Sequence, residues 1–307
     1  MNLKSPSTRG AIYGITAASI WGGMYVVSDV VLHTIPPFTL LVFRLIIGLL
    51  ILAAILWRSG QLIIPRRDIF RLLGVGVIGF GISLGAQFVG TQKATAINGA
   101  VVTSASPAFI LLFAWLILRE TLTPIRVSAV ALASVGVLIV LDLSKFDLSS
   151  KTFTGNIALI VAALTWALYS VLVRKVSSSY STLTVSCYAL AGGMIVAVPA
   201  AGLELASQPV GQVTFGVVLG ILYLGVISTA LAMFLWNEAF ALVEASVASL
   251  FFFAQPLVGV LLATLLLGQP LTLNLIIGGA LIIGGVILSM QRGRQPENAS
   301  LPMEAES

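Results

Sequence analysis

Long apolar runs separated by short polar segments make up most of the chain. A helix needs roughly 20 apolar residues to cross a bilayer, and only helices or closed barrels satisfy their backbone hydrogen bonds in lipid. Because the runs are continuous rather than alternating, they predict helices. The predicted segments are residues 10–32, 37–57, 70–90, 96–118, 124–141, 155–174, 182–202, 213–235, 245–267 and 271–290. The pattern therefore predicts an all-α integral membrane protein with ten transmembrane helices.

The composition agrees with a lipid environment for most of the chain. Apolar residues make up 58% of the 307 positions, charged residues make up 9%, and the mean hydropathy is +1.08. Soluble proteins are roughly 45–50% apolar and about 25% charged. The first apolar run is also longer than the 7 to 15 residue core of a signal peptide. We therefore expect it to be a retained first helix.

The net charge of +5 indicates an orientation in the membrane rather than a nucleic-acid partner, because the cations stand in short clusters between apolar runs. With both termini in the cytoplasm, twelve Lys and Arg residues lie inside, three lie outside, and Arg44 lies within helix 2. The positive-inside rule favours this orientation. The lipid bilayer and a small-molecule substrate are the expected partners, and the short loops suggest a bacterial inner membrane.

An internal repeat is visible when the chain is compared with itself, as is common in transporters. At an offset of 145, Trp21 aligns with Trp166, and past the loop after helix 2 an offset of 149 aligns Pro107 with Pro256. Each repeat holds five helices, and an odd number inverts the second copy relative to the first. The predicted organisation is a tail at 1–9, a first repeat at 10–141, a linker at 142–154, a second repeat at 155–290 and a disordered cytoplasmic tail at 291–307.

These repeated features resemble the EamA-type members of the drug/metabolite transporter superfamily over about residues 10–290. The resemblance is carried by the paired Trp and Pro positions, by Phe43-Arg44-Leu45 and by Leu118-Arg119-Glu120-Thr121-Leu122-Thr123. The second half departs from the first at Ala189, which aligns with Arg44, and at Gln269, which aligns with Glu120. The resemblance implies a ten-helix exporter or permease with a central cavity lined by helices 1, 3, 4, 6, 8 and 9.

On those six helices, polar or aromatic side chains near the membrane centre are candidates for substrate binding. They are Trp21, Tyr25, Gln87, Ser104, Ser106, Trp166, Tyr169, Tyr223, Ser228 and Gln255. Trp21 with Tyr25, and Trp166 with Tyr169, are spaced to share one face of their helices. The alternative interpretation of these aromatic residues is a belt at the lipid headgroups.

Two prolines and one arginine interrupt the apolar runs. Pro107 and Pro256 are hinge candidates, because proline removes a backbone hydrogen bond and kinks a helix. A structural kink without movement is the alternative. Arg44 is a possible intramembrane charge, for which the alternatives are substrate binding, hydrogen bonding to carbonyl groups, or snorkelling to the outer headgroups.

The sequence favours transport over chemistry. The chain has one His and one Cys, and no acidic residue stands at the centre of a predicted helix. Metal-dependent hydrolysis and cysteine catalysis therefore lack the residues they need, and we expect no enzyme, no metal and no cofactor. Trp, Tyr, Gln and Ser suit a neutral, zwitterionic or aromatic solute, and amino acids are the first expectation. A lipid translocator and a non-transporting receptor are the alternatives.

Overall fold

The computed structural model describes residues 5–60, 64–94, 102–140, 149, 152–258 and 273–290, apart from the side chains at 25, 140, 274, 275, 289 and 290. Within these ranges the chain is helical and contains no strand. The helices are α1 (Pro6–Leu32), α2 (Pro37–Arg58), α3 (Arg66–Lys93), α4 (Ser106–Leu118), α5 (Pro124–Val140), α6 (Phe153–Val176), α7 (Thr182–Leu205), α8 (Phe215–Leu242), α9 (Ala245–Val258) and α10 (Leu273–Met290).

Six of these described helices are long and apolar enough to cross a membrane, namely α1, α2, α3, α6, α7 and α8. The shorter apolar helices are α4, α5, α9 and α10. Most of the predicted linker at 142–154, the predicted tail at 291–307, and the predicted helical residues 96–101 and 259–267 lie outside the described residues.

Some helices extend beyond their predicted ends, because they include polar residues that flank the apolar run. Helix α1 begins at Pro6 because Ser5 caps it, its hydroxyl accepting from the backbone N–H of Thr8 at 3.2 Å. Helix α8 continues to Leu242, whereas the apolar pattern ended at residue 235. Asn237 and Glu238 lower the local hydropathy, yet Asn237 is fully buried. The apolar run alone therefore ended this helix too early.

Two of the long helices contain a wide π-helical stretch in their middle. In α3 the stretch is Val77–Ser83, and in α8 it is Tyr223–Leu231. The offset of 149 maps the first stretch onto residues 226–232, so the two overlap almost completely. Such stretches misalign the hydrogen-bond ladder and are frequent near functional sites.

One apolar core joins α1, α2, α3, α4, α6, α7, α8 and α9, while α5 and α10 pack on each other at the side of this body. Small residues bring the backbones of α5 and α10 together, since a Cβ built on Gly136 would lie 2.6 Å from the carbonyl oxygen of Gly278. Close contact through small residues is the usual way in which helices associate in lipid. The larger core surrounds the central cavity described next.

Candidate functional site: a central aromatic cavity

A small cavity lies at the centre of the helical body. Its lining residues come from the six helices that the resemblance implied, with Thr103 preceding α4: they are Trp21, Met24, Ser83, Leu84, Gln87, Thr103, Ser106, Ala162, Ala163, Trp166, Met233, Phe252 and Gln255. The space open to the centre of a water molecule is about 30 Å³, which holds about two waters. In this conformation the cavity is too small for a solute the size of an amino acid.

Aromatic rings form one wall of this cavity. The ring centroid of Trp21 lies 5.4 Å from that of Trp166 in an edge-on contact, and 5.3 Å from that of Trp236. Phe252 completes the group at 6.3 Å from Trp21 and 5.7 Å from Trp236. Trp21 and Trp166 are only 3% and 6% exposed, so they do not belong to a headgroup belt. The rings from both halves meet at the centre of the protein.

Three buried polar atoms in the cavity lining have no hydrogen-bond partner in the described structure. They are the Ser106 hydroxyl, the indole N–H of Trp166 and the side-chain carbonyl oxygen of Gln255. A buried polar group without a partner costs about 1–3 kcal/mol, so folded proteins keep few of them. The aligned indole of Trp21, by contrast, donates to the backbone oxygen of Ser228 at 3.0 Å. The lining residues therefore carry an unpartnered acceptor at Gln255, an unpartnered donor at Trp166 and an unpartnered hydroxyl at Ser106 that can donate or accept.

The two hinge candidates stand at irregular points of their helices. Pro107 lies in the first turn of α4, directly after turn residues at 104–105, rather than in the middle of a helix. Pro256 lies in α9, behind a 3₁₀-helical stretch at Ser249–Phe253. Each proline follows a lining residue, Ser106 or Gln255. A change of backbone angle at either proline would therefore shift an unpartnered polar group.

Arg44 does not snorkel to the headgroups, because it is fully buried in the helical body. Its Nε donates to the hydroxyl of Thr229 at 2.8 Å, and one terminal nitrogen donates to the hydroxyl of Ser228 at 3.4 Å. The guanidinium lies 5.3 Å from the ring centroid of Phe88 and 3.7 Å from the sulfur of Met24. Of the alternatives for Arg44, snorkelling is the one that this burial disfavours, because α8 packs over the side chain and supplies its hydroxyl partners.

The remaining candidates divide between supporting contacts and positions near the lining. Tyr169 donates its hydroxyl to Asn237 at 2.9 Å, and Asn237 donates to Ser186 at 2.9 Å. Tyr223 donates to the backbone oxygen of Ile20 at 2.7 Å and faces a separate surface crevice. Ser104 is half-buried, one position from the lining residue Thr103. Tyr25 lies in α1, but its side chain is outside the described residues.

Sequence reasoning missed several residues of the cavity wall. Trp236, which packs behind the wall on Trp21 and Phe252, lay one position beyond the predicted end of helix 8, and its aromatic character would have identified it had the predicted helix been longer. Met24, Met233 and Phe252 carry no polar group to single them out within apolar runs. In the described ranges, no group of three or more His, Cys, Asp or Glu side chains is placed to hold a metal ion.

Carboxylates hold the two ends of the helical body. Glu204 accepts from the backbone N–H groups of Phe38 and Thr39 at 3.1 and 2.9 Å, and so caps α2. At the opposite end, Glu120 accepts from the N–H groups of Ala245 and Ser246 at 2.8 and 3.0 Å, and so caps α9. A negative charge at a helix N-terminus is stabilising. These caps tie α7 to α2 and the loop after α4 to α9.

Arg126 and Glu244 form an ion pair at the same end as Glu120. Beside it, in the loop before α7, Tyr180 donates its hydroxyl to Asp68 at 2.6 Å. This hydrogen bond to a carboxylate raises the pKa of Tyr180 above its ordinary value. Polar contacts therefore connect the three inter-helix segments after α4, α6 and α8 to the first turns of α9, α3 and α5, respectively.

Several proteins similar to this chain are named as transporters. A relative from Archaeoglobus fulgidus named as an uncharacterized transporter is 26% identical over 280 residues, covering 90% of this chain and 95% of its own length. The uncharacterized transporter YetK of Bacillus subtilis is 27% identical over 296 residues, covering 94% and 89%. A solved crystal structure at 21% identity has a TM-score of 0.79 and covers 94% of this chain and 98% of its own, which shows the same fold.

The model of the EamA-like transporter family matches the chain twice, over residues 8–142 and 153–291. Together the two matches include all of the described helices except the first residues of α1. With six helices able to span a bilayer and relatives named as transporters, the protein is an integral membrane protein. The chain belongs to the EamA-like transporter family.

Proposed function

We propose that the protein moves a small organic solute across the membrane by alternating access, with the central cavity as the binding site. The observation that carries this proposal is the convergence of three unpartnered polar atoms, at Ser106, Trp166 and Gln255, on one aromatic space. Trp rings offer apolar contact, stacking and a cation–π contact with an amino group. The described lining holds no Lys or Arg, which favours an amino-acid-like, neutral, zwitterionic or aromatic solute over a phosphate.

The proposal includes ten transmembrane helices in two inverted repeats, split at 10–141 and 155–290. Two matches of one family model within a single chain support it. So do aligned contacts: a Cβ on Gly48 would lie 2.7 Å from Thr229, and a Cβ on the aligned Gly193 would lie 2.5 Å from Phe80, which aligns with Thr229. Helix α2 thus packs on α8 as α7 packs on α3.

The small volume of the cavity supports a cycle in which the halves move to admit the solute. Pro107 and Pro256 are the proposed hinges, because both adjoin irregular helix geometry and a lining residue. Export with both termini in the cytoplasm of a bacterial inner membrane is the proposed direction and orientation. Single cysteines at Ser5 and Ser149, placed after Cys187→Ser, should react with an impermeant reagent from opposite sides; reaction of both in intact cells would contradict the orientation.

Exchange of radiolabelled amino acids in proteoliposomes tests the function. Each labelled amino acid is supplied outside vesicles preloaded with the same unlabelled compound. We expect exchange of at least one amino acid. The double variant Ser106→Ala with Gln255→Leu should raise the half-saturation concentration for that amino acid about tenfold, which corresponds to the loss of one or two hydrogen bonds. Because these atoms have no protein partners, the double variant should unfold no more easily than the wild type.

Ser28→Ala is the matched control, since its hydroxyl is also buried and unpartnered but does not line the cavity. It should leave exchange unchanged. Equal exchange by the control and the double variant would remove the cavity from the transport path. Movement of a labelled phospholipid between leaflets without amino-acid exchange would favour a lipid translocator, and saturable binding without exchange would favour a receptor.

A further inference from the structure

Arg44 is a buried cation whose partners in the described structure are all neutral. It is fully buried, and its contacts are two hydroxyls, a thioether and an aromatic ring. The ion pairs of the described residues are Arg67–Asp68 and Arg126–Glu244, so neither involves Arg44. Buried charges in proteins are normally paired. The positive charge therefore lacks an anionic partner within the described part of the chain.

The guanidinium lies directly behind the wall of the central cavity. Met24 lines the cavity, and its sulfur also lies 3.7 Å from the terminal nitrogen Nη1 of Arg44. Phe88, which faces the guanidinium, follows the lining residue Gln87 in α3. A methionine side chain is unbranched and has three rotatable bonds, so it can move without displacing a helix. Rotation of Met24 would open the guanidinium to the cavity.

The buried arginine and its hydroxyl pair have no counterparts at the aligned positions of the two halves. The position aligned with Arg44 is Ala189, and the hydroxyl pair Ser228-Thr229 aligns with Gly79-Phe80. At Ala189, α7 packs closely on α3, since a Cβ built on Gly76 would lie 1.9 Å from the carbonyl oxygen of Ala189. The fold therefore packs this helix pair without an arginine, and its architecture does not require one at residue 44.

We propose that Arg44 is the binding site for a carboxylate group of the transported solute and that Met24 covers this site in the closed cavity. The inference rests on the proposed function and narrows it to carboxylate-bearing solutes. The planar guanidinium can bind both oxygens of a carboxylate at once. The rest of such a solute then lies among the tryptophan rings, where Gln255 accepts a hydrogen bond and Ser106 and Trp166 donate.

The test compares each amino acid with its primary amide, in which a neutral carboxamide replaces the carboxylate. Calorimetric titration of the purified protein in nanodiscs uses the twenty common amino acids and, for every one that binds, its primary amide. We expect the wild type to bind the acid about 10- to 100-fold more tightly than the amide, the range for hydrogen bonds to a charged group. Arg44→Gln should remove this preference while the affinity for the amide is kept. Arg44→Lys should retain part of the preference.

A second variant keeps the test independent of the folding of the arginine variants. Met24→Ala removes the cover, so the affinity for the acid should rise severalfold relative to the affinity for the amide. A wild type that binds acid and amide equally, or an acid preference that persists in Arg44→Gln, overturns the carboxylate site and leaves the proposed function intact. If the wild type neither binds nor exchanges any amino acid, both the carboxylate site and the proposed function are overturned.

Discussion

Two side-chain clusters lie at aligned positions of the two halves, next to the central cavity. They differ in how their buried polar groups are paired. The arginine cluster consists of Met24, Arg44, Phe88, Ser228 and Thr229. The tyrosine cluster consists of the aligned residues Tyr169, Ala189, Asn237, Gly79 and Phe80, together with Ser186 as an outer partner. In the tyrosine cluster every polar side chain is neutral and hydrogen-bonded. The arginine cluster keeps a charge with neutral partners only.

The difference separates a stabilising network from a functional one. A complete neutral network adds rigidity and leaves no polar atom unpaired, so it strengthens the folded state. A buried charge without a counter-charge weakens the folded state, and proteins keep such departures mainly at functional sites. Under the carboxylate-site proposal, equivalent positions in the fold supply structural support in one half and a binding group in the other.

The largest effect on stability is expected beside the tyrosine cluster, where α3 packs most closely on α7. Gly76→Ala places a methyl group 1.9 Å from the backbone oxygen of Ala189. A backbone atom cannot rotate away, so we expect a loss of about 3 kcal/mol in unfolding free energy, the upper part of the range for overpacking. Gly74→Ala is the control, because nothing lies within 4 Å of its new Cβ. Unfolding in mixed detergent micelles measures both; equal stability of the two variants would refute the close packing of α3 on α7.

A smaller loss is expected when the tyrosine cluster loses its central amide. Asn237→Leu leaves the buried hydroxyl of Tyr169 without its partner, which should lower the unfolding free energy by about 2 kcal/mol. Tyr169→Phe removes only one end of the network, and its effect should be smaller. Solute affinity of the folded protein should not change, because neither side chain lines the cavity. The same micelle unfolding series checks this order, and an unchanged stability of Asn237→Leu would contradict a structural role for the network.

The arginine cluster should respond with the opposite sign. Arg44→Met removes a buried charge, and replacing such charges by apolar groups of similar size is neutral or stabilising by about 1–4 kcal/mol. We expect a gain of about 1 kcal/mol, because Thr229 keeps its own hydrogen bond to the backbone oxygen of Leu224. Arg58→Met, at the exposed end of the same helix, should have no effect. Destabilisation by Arg44→Met comparable to that of Asn237→Leu would show that both clusters are structural.

The smallest effect on stability is expected at the two hinge candidates. Pro107→Ala and Pro256→Ala change backbone freedom rather than burial, so the unfolding free energy should change by less than about 1 kcal/mol. Exchange in proteoliposomes should become slower, while solute affinity should stay within a few fold. Measuring each variant alone shows whether both halves move. Unaltered exchange rates in both would reduce the prolines to fixed kinks.

The positions of the helices could be predicted from the sequence because each depends on a local run of apolar residues. Within the described ranges, the predicted and observed boundaries agree to within a few residues at most ends. The exception is the end of α8, where Asn237 is polar yet buried, because partners from α6 and α7 satisfy it. A hydropathy scale treats a polar residue as exposed, because it contains no information on hydrogen-bond partners that are distant in sequence.

Hydrogen bonding between residues distant in sequence also determines which polar atoms of the candidate site lack a partner. Trp21, Gln87, Ser106, Trp166 and Gln255 were all identified by type and helix position, and all line the cavity. The sequence could not show that Trp166 lacks a partner while Trp21 has one, nor that Arg44 is sealed beneath α8. Local composition by itself determined that this is a helical membrane protein. Which polar atoms remain free for a solute depends on contacts between helices, and only the tertiary structure decided that.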